Sequence, residues 1–446
     1  MLDIKYIRDN QEKVQKAIVD KRLKVDLVEL LAVDKERTNL LGEVEQLRAL
    51  KNDLNDMIKN ASDQEERQEI IVKGKEIKEK LDVKEGQLRS VGERFLVLMA
   101  QMPTVPADDV PVGGEDANEQ VGIWGEKPVF SFSPKTHIEL GKELDILDLE
   151  RGAKVSGYRG YYLKNDGAVL VMAIMMYAMH KMVQKGFLPM IPPTLVKEFS
   201  LFGSGYFKGL SYDVQEDEIY QVTTSEKEVD GSVSGDRKFL VGTAEPSLLA
   251  YYSGETLDES QLPMKMCGYS QCYRSEIGSY GKDTKGMYRV HEFMKIEQVV
   301  LAKADLSEAE ELHRGMLEIS KEMHQELGLH YRQLAIATAD SGVGKYRQYD
   351  LEAWAPGMDR WCETGSASNF LDWQSRRLGV KYKTADGKKK YVYMMNNTAL
   401  PSPRIFIAIL ENFQQEDGSV KIPDVLVPFM PGQKTVISKV MKEEVA

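Results

Sequence analysis

Three arginines, Arg274, Arg289 and Arg404, accompany the carboxylates Glu276, Glu297 and Glu363 and one aromatic ring, Phe293. Guanidinium forks match phosphate oxygens, a ring stacks on a purine, and carboxylates hold ammonium groups or divalent cations. The stretch CYRSEIGSYGKDTKGMYRVHEF (272–293) carries two of the arginines around a loop of Gly, Lys, Asp and Ser. Its flanks, YRSE and MYRVHEF, read as strands. Residues two apart share a strand face, so Arg274 and Glu276 are expected on one face, and Arg289, Phe293 and Glu297 on one face of the next strand. In the same way VGTAEPSL pairs Thr243 with Glu245, and MNNTALPSPRIFIAILEN pairs Asn396 with Thr398 ahead of a helix. Ser402 is the expected N-cap of that helix, with Pro403 at its first position. Arg404 then falls in the first turn, where a cation opposes the helix dipole and calls for a nearby anion. Glu363 and Ser366 lie in WCETGSASN, a polar stretch in an apolar neighbourhood.

Each residue alone has an ordinary explanation. A strand arginine is usually solvated or ion-paired, and a strand phenylalanine is usually core. The weight lies in order and spacing together. The elements that must position these residues run from about 129 to 430, with strands more common after 240. No strict βαβ alternation and no GxGxxG after a strand occurs, and GKDTKG (281–286) lacks the Lys-Ser/Thr that a P-loop needs after its last glycine. The expected fold is α+β: a mostly antiparallel sheet flanked by helices.

The first 105 residues differ. Between 27 and 99 there is no proline, and charge is dense. Leu40, Val44, Leu47, Leu54 and Ile58 follow heptad spacing, with Lys51 in the gap; Ile77, Leu81, Leu88, Val91, Phe95 and Leu98 do the same, with Lys84 in the gap. KNASDQEERQ (59–68) separates the runs. Two helices with facing seams predict an antiparallel helical coiled-coil hairpin, a free-standing arm over about 27–99, because a docked helix would need a second apolar face. Residues 106–128, rich in Pro, Gly and Asp, read as a linker, and 129–446 as the α+β domain.

The chain has 446 residues, a net charge of -11 and three cysteines. So few thiols argue against a disulfide framework and for a reducing, cytoplasmic setting. Cys267 and Cys272 would face opposite sides of one strand, which disfavours a zinc pair. The run VLVMAIMMYAMHKMV (169–183) is too short and too polar for a membrane span, and MLDIKYIRDN lacks the apolar core of a secretory signal. An acidic average leaves nucleic-acid binding open, since a local basic stripe is enough.

In this order the blocks resemble the class II aminoacyl-tRNA synthetases, and specifically seryl-tRNA synthetases of the bacterial and eukaryotic type. KGFLPMIPPTLV (185–196) is similar to motif 1, with Pro192 in the place of its proline; 272–298 is similar to motif 2 and 396–414 to motif 3. GTAE, ETGSASN and DWQSRR match the serine-pocket and metal-site blocks. The resemblance implies a homodimer that uses ATP, Mg²⁺ and L-serine to charge tRNA-Ser, and tRNA-Sec where it exists. It implies that Arg274 grips the α-phosphate and the serine carboxylate, and that Arg289 and Arg404 hold the γ-phosphate from two sides. Glu276 would read the adenine amino group and Phe293 would stack on adenine, with Val290 lining the site. Ser275, Thr364 and Gly365 complete the implied ATP set, and Glu363 and Ser366 would hold Mg²⁺. Thr243, Ala244, Glu245, Glu297, Asn396 and Thr398 would form the serine pocket, with Glu297 facing the ammonium. The arm would reach the long variable arm of tRNA-Ser through Arg37, Arg48, Lys51, Lys59, Lys73, Lys75, Lys78, Lys80, Lys84, Arg89 and Arg94. The loop 278–286 is expected to order over ATP and then meet the tRNA end. Gly365 and Thr398 depart from the family pattern, the one removing a hydroxyl and the other adding a methyl. Two further readings are an amino-acid:carrier-protein ligase, which lacks the arm, and a catalytically silent paralogue.

Overall fold

The computed structural model describes residues 1–439 apart from 62, 208, 216, 224–226, 228–230, 232–234, 236 and 277–284. Most of the expected mobile loop 278–286 therefore lies outside the described residues. The chain divides into two compact units, Met1–Pro103 and Thr104–Ala446.

The first unit opens with two short helices, α1 (Ile4–Asp9) and α2 (Gln11–Asp20), and continues into α3 (Leu27–Asn60) and α4 (Gln64–Gln101). At 34 and 38 residues, the long helices run to about 50–57 Å at 1.5 Å per residue. Each has an aspartate cap: Asp26 accepts from the Glu29 amide, and Asp63 accepts from the amides of Glu65 and Glu66. The break between them is three residues, shorter than the polar stretch suggests, because the Asp63 cap starts α4 early. Leu40, Val44, Leu81 and Leu98 are buried, and Leu47, Leu54, Ile58, Ile77, Leu88, Val91 and Phe95 are half-buried. Lys84 fills its gap by pairing with Glu43 at 2.6 Å.

The second unit is built on one eight-stranded sheet. Its strands are β1 (Glu119–Trp124), β2 (Leu188–Met190), β3 (Met264–Tyr273), β4 (Glu292–Ala302), β5 (Tyr331–Ala335), β6 (Arg347–Ala355), β7 (Arg360–Leu371) and β8 (Tyr393–Pro401). The spatial order is β1-β5-β6-β7-β8-β4-β3-β2. Every pairing is antiparallel except that of β2 with β3. This is the α+β architecture with a hairpin that the sequence predicts. Residues 106–128, expected as a linker, instead supply the edge strand β1, where Trp124 stacks on Tyr331 at 5.9 Å. The strand is exposed along most of its length and begins at the charged Glu119, as suits an edge.

Three helices cover one face: α5 (Asp166–Gln184), α6 (Leu306–Glu326) and α7 (Ser402–Asn412). In length and composition α5 passes for a membrane span, but Leu170, Ile174, Met175 and Met182 pack into the same core as Ile296, Val300, Phe406 and Leu410. All three cysteines are free and buried. Burial pushes the thiols of Cys267 and Cys362 up to about 12, so both stay protonated.

Candidate active site

Along β4 the faces alternate. Ile296 and Val300 enter the helical core, and Gln298 donates to Ser320 of α6. Phe293, Lys295 and Glu297 therefore face the other side, where two adjoining cavities open. Arg274, Glu276, Arg289, Val290, Phe293, Glu363, Gly365 and Arg404 line one of them. Thr243, Glu245, Glu297, Ser366 and Asn396 line the other, of about 480 Å³. Arg274, Arg289, Lys295, Glu363 and Thr398 border both. Ala244 and Ser275 line neither.

Several of these residues arrive by routes other than the expected strands. β3 ends at Tyr273, so Arg274 and Glu276 lie just past it. The ladder continues for one step, the Arg274 amide donating to the His291 carbonyl at 3.0 Å. Glu276 turns into the left-handed region at φ 54. Its carboxylate then meets Arg289 at 3.2 Å and Arg159 at 3.4 Å. Arg289 precedes β4 instead of sharing its face with Phe293. Thr243 and Glu245 are not on a strand. Thr243 sits in a bend, and Glu245 opens the short helix Glu245–Ala250. They still converge: the Thr243 hydroxyl donates to Glu297 at 3.1 Å, and Glu245 accepts from Gln374 and Asn396, each at 2.7 Å. Gly268 on β3 permits the approach, because a Cβ there would lie 2.9 Å from Ala244 Cβ. Gln374 is the member of DWQSRR that bonds to a pocket residue, Glu245. Burial, then the nearby Glu297, pushes Glu245 up to about 7.

Ser402 is not the N-cap of α7. Pro401 takes that position, and the Ser402 hydroxyl accepts from the Met294 amide at 3.0 Å instead. Arg404 does lie in the first turn. The anion it requires is Glu363, whose carboxylate is 3.2 Å away and whose carbonyl accepts at 2.9 Å. Burial opposes the Arg404 charge, but Glu363 outweighs it and holds the guanidinium above its ordinary value. Burial likewise raises Glu363, but Arg404 and then Arg274 outweigh that and hold it low. Burial and Glu363 push the neighbouring Asp350 above the usual carboxylate range.

Glu363 and Ser366 are three apart and would face opposite sides of a regular strand. The β6–β7 register shifts between Leu351 and Glu352, with Leu351 opposite Gly365 and Glu352 opposite Glu363. That bulge turns both side chains into one cavity. It sends Thr364 the other way, to His324 Nε2 at 2.7 Å. His324 Nδ1 donates to the Ser320 carbonyl at 2.7 Å, so Nε2 is left to accept the Thr364 hydroxyl. Burial pushes His324 down to about 4. An unfolded histidine titrates near 6.5. Between those values the unfolded chain takes up a proton that the folded chain refuses, so this contribution is complete above pH 6.5 and lost as pH falls to about 4. The gap in unfolding free energy between the wild-type chain and His324→Gln is expected to narrow by on the order of 3 kcal/mol from pH 7 to 4.5. Urea unfolding at the two pH values measures it. A pH-independent gap would mean that the imidazole titrates as it does in water.

The sequence reading missed several residues of the site, among them Arg159, Asp350, Lys295 and Tyr206. Lys295 lies between Phe293 and Glu297 on the same face, a position that strand alternation pointed to. Tyr206 lines the larger cavity and carried no comparable signal.

A mostly antiparallel sheet that brings the residues of motifs 2 and 3 to one pair of cavities defines a class II aminoacyl-tRNA synthetase. Residues 226–413 match the model of the tRNA synthetase class II core domain (G, H, P, S and T), and residues 1–106 match that of the seryl-tRNA synthetase N-terminal domain. The serine–tRNA ligase of Treponema denticola is 38% identical over 96% of this chain and 98% of its own. That of Deinococcus radiodurans is 38% identical over 98% and 99%. The crystal structure of seryl-tRNA synthetase from Pyrococcus horikoshii complexed with ATP superposes with a TM-score of 0.88 at 34% identity, over 99% of this chain and 100% of that one. The chain belongs to the seryl-tRNA synthetase family, whose activity is serine–tRNA ligation.

Proposed function

We propose that the two cavities hold ATP and L-serine side by side and that both steps of ligation occur at their junction. The observation that carries this reading is Arg274, which borders both cavities. In the first step a serine carboxylate oxygen attacks the α-phosphorus, an O–P bond forms, and the bond to the β-phosphate oxygen breaks as pyrophosphate leaves. In the second step the terminal ribose hydroxyl of tRNA-Ser attacks the carbonyl carbon and AMP leaves. No side chain becomes covalently attached, so catalysis is positioning and charge stabilisation. Arg289 and Arg404 clamp the γ-phosphate, Glu276 reads adenine, and Phe293, 5.5 Å from the Arg274 guanidinium, stacks on it.

Glu363 and Ser366 offer hard oxygen donors from one wall, a set that fits Mg²⁺ when phosphates and water complete it. Bound there, Mg²⁺ would neutralise charge on the phosphates. Glu297, buried and bonded to the hydroxyls of Thr243 and Thr398, receives the serine ammonium. A pocket built from such groups rejects alanine, whose methyl would leave them unpaired.

The working unit is a homodimer. Motif 1 exposes Leu188 at 55% and Ile191 at 84%, apolar surface that a partner would cover. tRNA-Sec, where present, would be charged in the same site, and the compartment is the cytoplasm. Pyrophosphate exchange with each of the twenty amino acids in turn is expected to respond to serine alone, and charging is expected with tRNA-Ser. Exchange driven by another amino acid, or serine loaded onto a carrier protein in place of tRNA, would overturn this reading.

A further inference from the structure

Lys295 is buried, and its ammonium lies 2.5 Å from Glu297 Oε2 and 3.3 Å from the Thr398 hydroxyl. The same Glu297 oxygen accepts from Thr243 at 3.1 Å. A buried carboxylate without a cation would be costly, and Lys295 supplies one. Serine brings a second ammonium to that carboxylate. Two ammonium groups on one oxygen repel, yet serine also carries a carboxylate at the other end of the same short molecule. The lysine stem is flexible, and the residue borders both cavities.

We infer that Lys295 is an exchangeable counter-ion: serine's ammonium takes its place on Glu297, and Lys295 swings to serine's carboxylate at the boundary with ATP. This rests on the reading of Glu297 as the ammonium site. The exchange leaves charges alternating along one line, from Glu297 through the serine ammonium and carboxylate to the Lys295 ammonium. No proton is transferred. The pocket thereby demands both charges of an amino acid at once. An amine lacking the carboxylate must break the internal pair and gives Lys295 nothing in return. Thr398, bonded to both Lys295 and Glu297, is the hydroxyl that senses the exchange.

The test compares L-serine with ethanolamine, which keeps the ammonium and hydroxyl and lacks the carboxylate, by calorimetry on the full chain. In Lys295→Met the serine-to-ethanolamine affinity ratio is expected to fall about tenfold, because ethanolamine meets an uncontested Glu297 while serine loses a partner. Lys295→Arg, which keeps the charge, is expected to hold the ratio within about threefold. A purely structural lysine would weaken both ligands equally, and an unchanged ratio in Lys295→Met overturns the inference. Should Lys295→Met fail to fold, Lys295→Gln, a neutral donor, decides by the same ratio. Glu297→Gln separates the two readings. Serine binding as in the wild-type chain would refute the ammonium site itself, whereas lost binding there with an unchanged ratio in Lys295→Met and Lys295→Gln refutes the exchange alone.

Discussion

Arg274→Ala is expected to lower serine-dependent ATP–pyrophosphate exchange by about 10²–10³-fold, equivalent to roughly 3–4 kcal/mol in the barrier. Negative charge grows on the α-phosphate oxygens during attack, and a donor aimed there in advance needs no reorganisation at that moment. The structure gives Arg274 such a fixed base. Its amide donates to His291, its carbonyl is 2.9 Å from His291 Nδ1, and its Nε reaches the Gly242 carbonyl at 3.4 Å. Arg274→Lys is expected to recover only part of the loss, because a point charge cannot reproduce the planar fork. Near-normal exchange in Arg274→Ala would sink the assignment.

The second large effect concerns the other unit. A chain with 27–99 replaced by a short flexible linker is expected to make seryl-adenylate at near-normal rates and to lose most charging of tRNA-Ser. The catalytic unit has its own core clusters. Within the hairpin many of the candidate cations are already engaged: Arg48 with Glu85, Lys84 with Glu43, Arg94 with Glu29, and Arg37 with Asp34. Lys73, Lys75, Lys78, Lys80 and Arg89 remain exposed on α4 and are the better candidates for phosphates. Alanine at these five positions is expected to weaken charging and flatten its salt dependence, since each lost phosphate contact removes released counter-ions. Measurements of charging and exchange on the same preparations separate the two roles. Charging at wild-type rates by the truncated chain would remove the arm from tRNA recognition.

Much of this was legible in the sequence for definite reasons. The heptad seam is a local pattern, repeated often enough to specify a hairpin without any partner. Arg404 announced a missing anion because a cation in a first helical turn is unfavourable alone, and Glu363 is found there. Asn396 and Thr398 could be paired because β8 is regular across them. Where regularity ends, the reading failed. Arg274, Glu276 and Arg289 lie beyond the ends of β3 and β4, and Thr243 and Glu245 lie on a bend and a helix start. Ser402 looked like a cap because capping is local, but a neighbouring strand supplied a better use for its hydroxyl. The edge strand β1 hid in a linker composition because what stabilises it, the ladder to β5, lies some 200 residues away in sequence.

By itself the sequence determined the inventory and its order: the phosphate-matching arginines, the carboxylates, the ring, and a helical arm ahead of a mostly antiparallel domain. Only the tertiary structure decided which of these meet. A single register shift between Leu351 and Glu352 brings Glu363 and Ser366 into one cavity, and the pairing of β4 with β8 places Thr398 opposite Glu297, within reach of Lys295 on the same face of β4. The reason is physical. A strand's period of two predicts faces only while the ladder is unbroken, and bulges and strand ends, where this site is built, depend on partners distant in the chain.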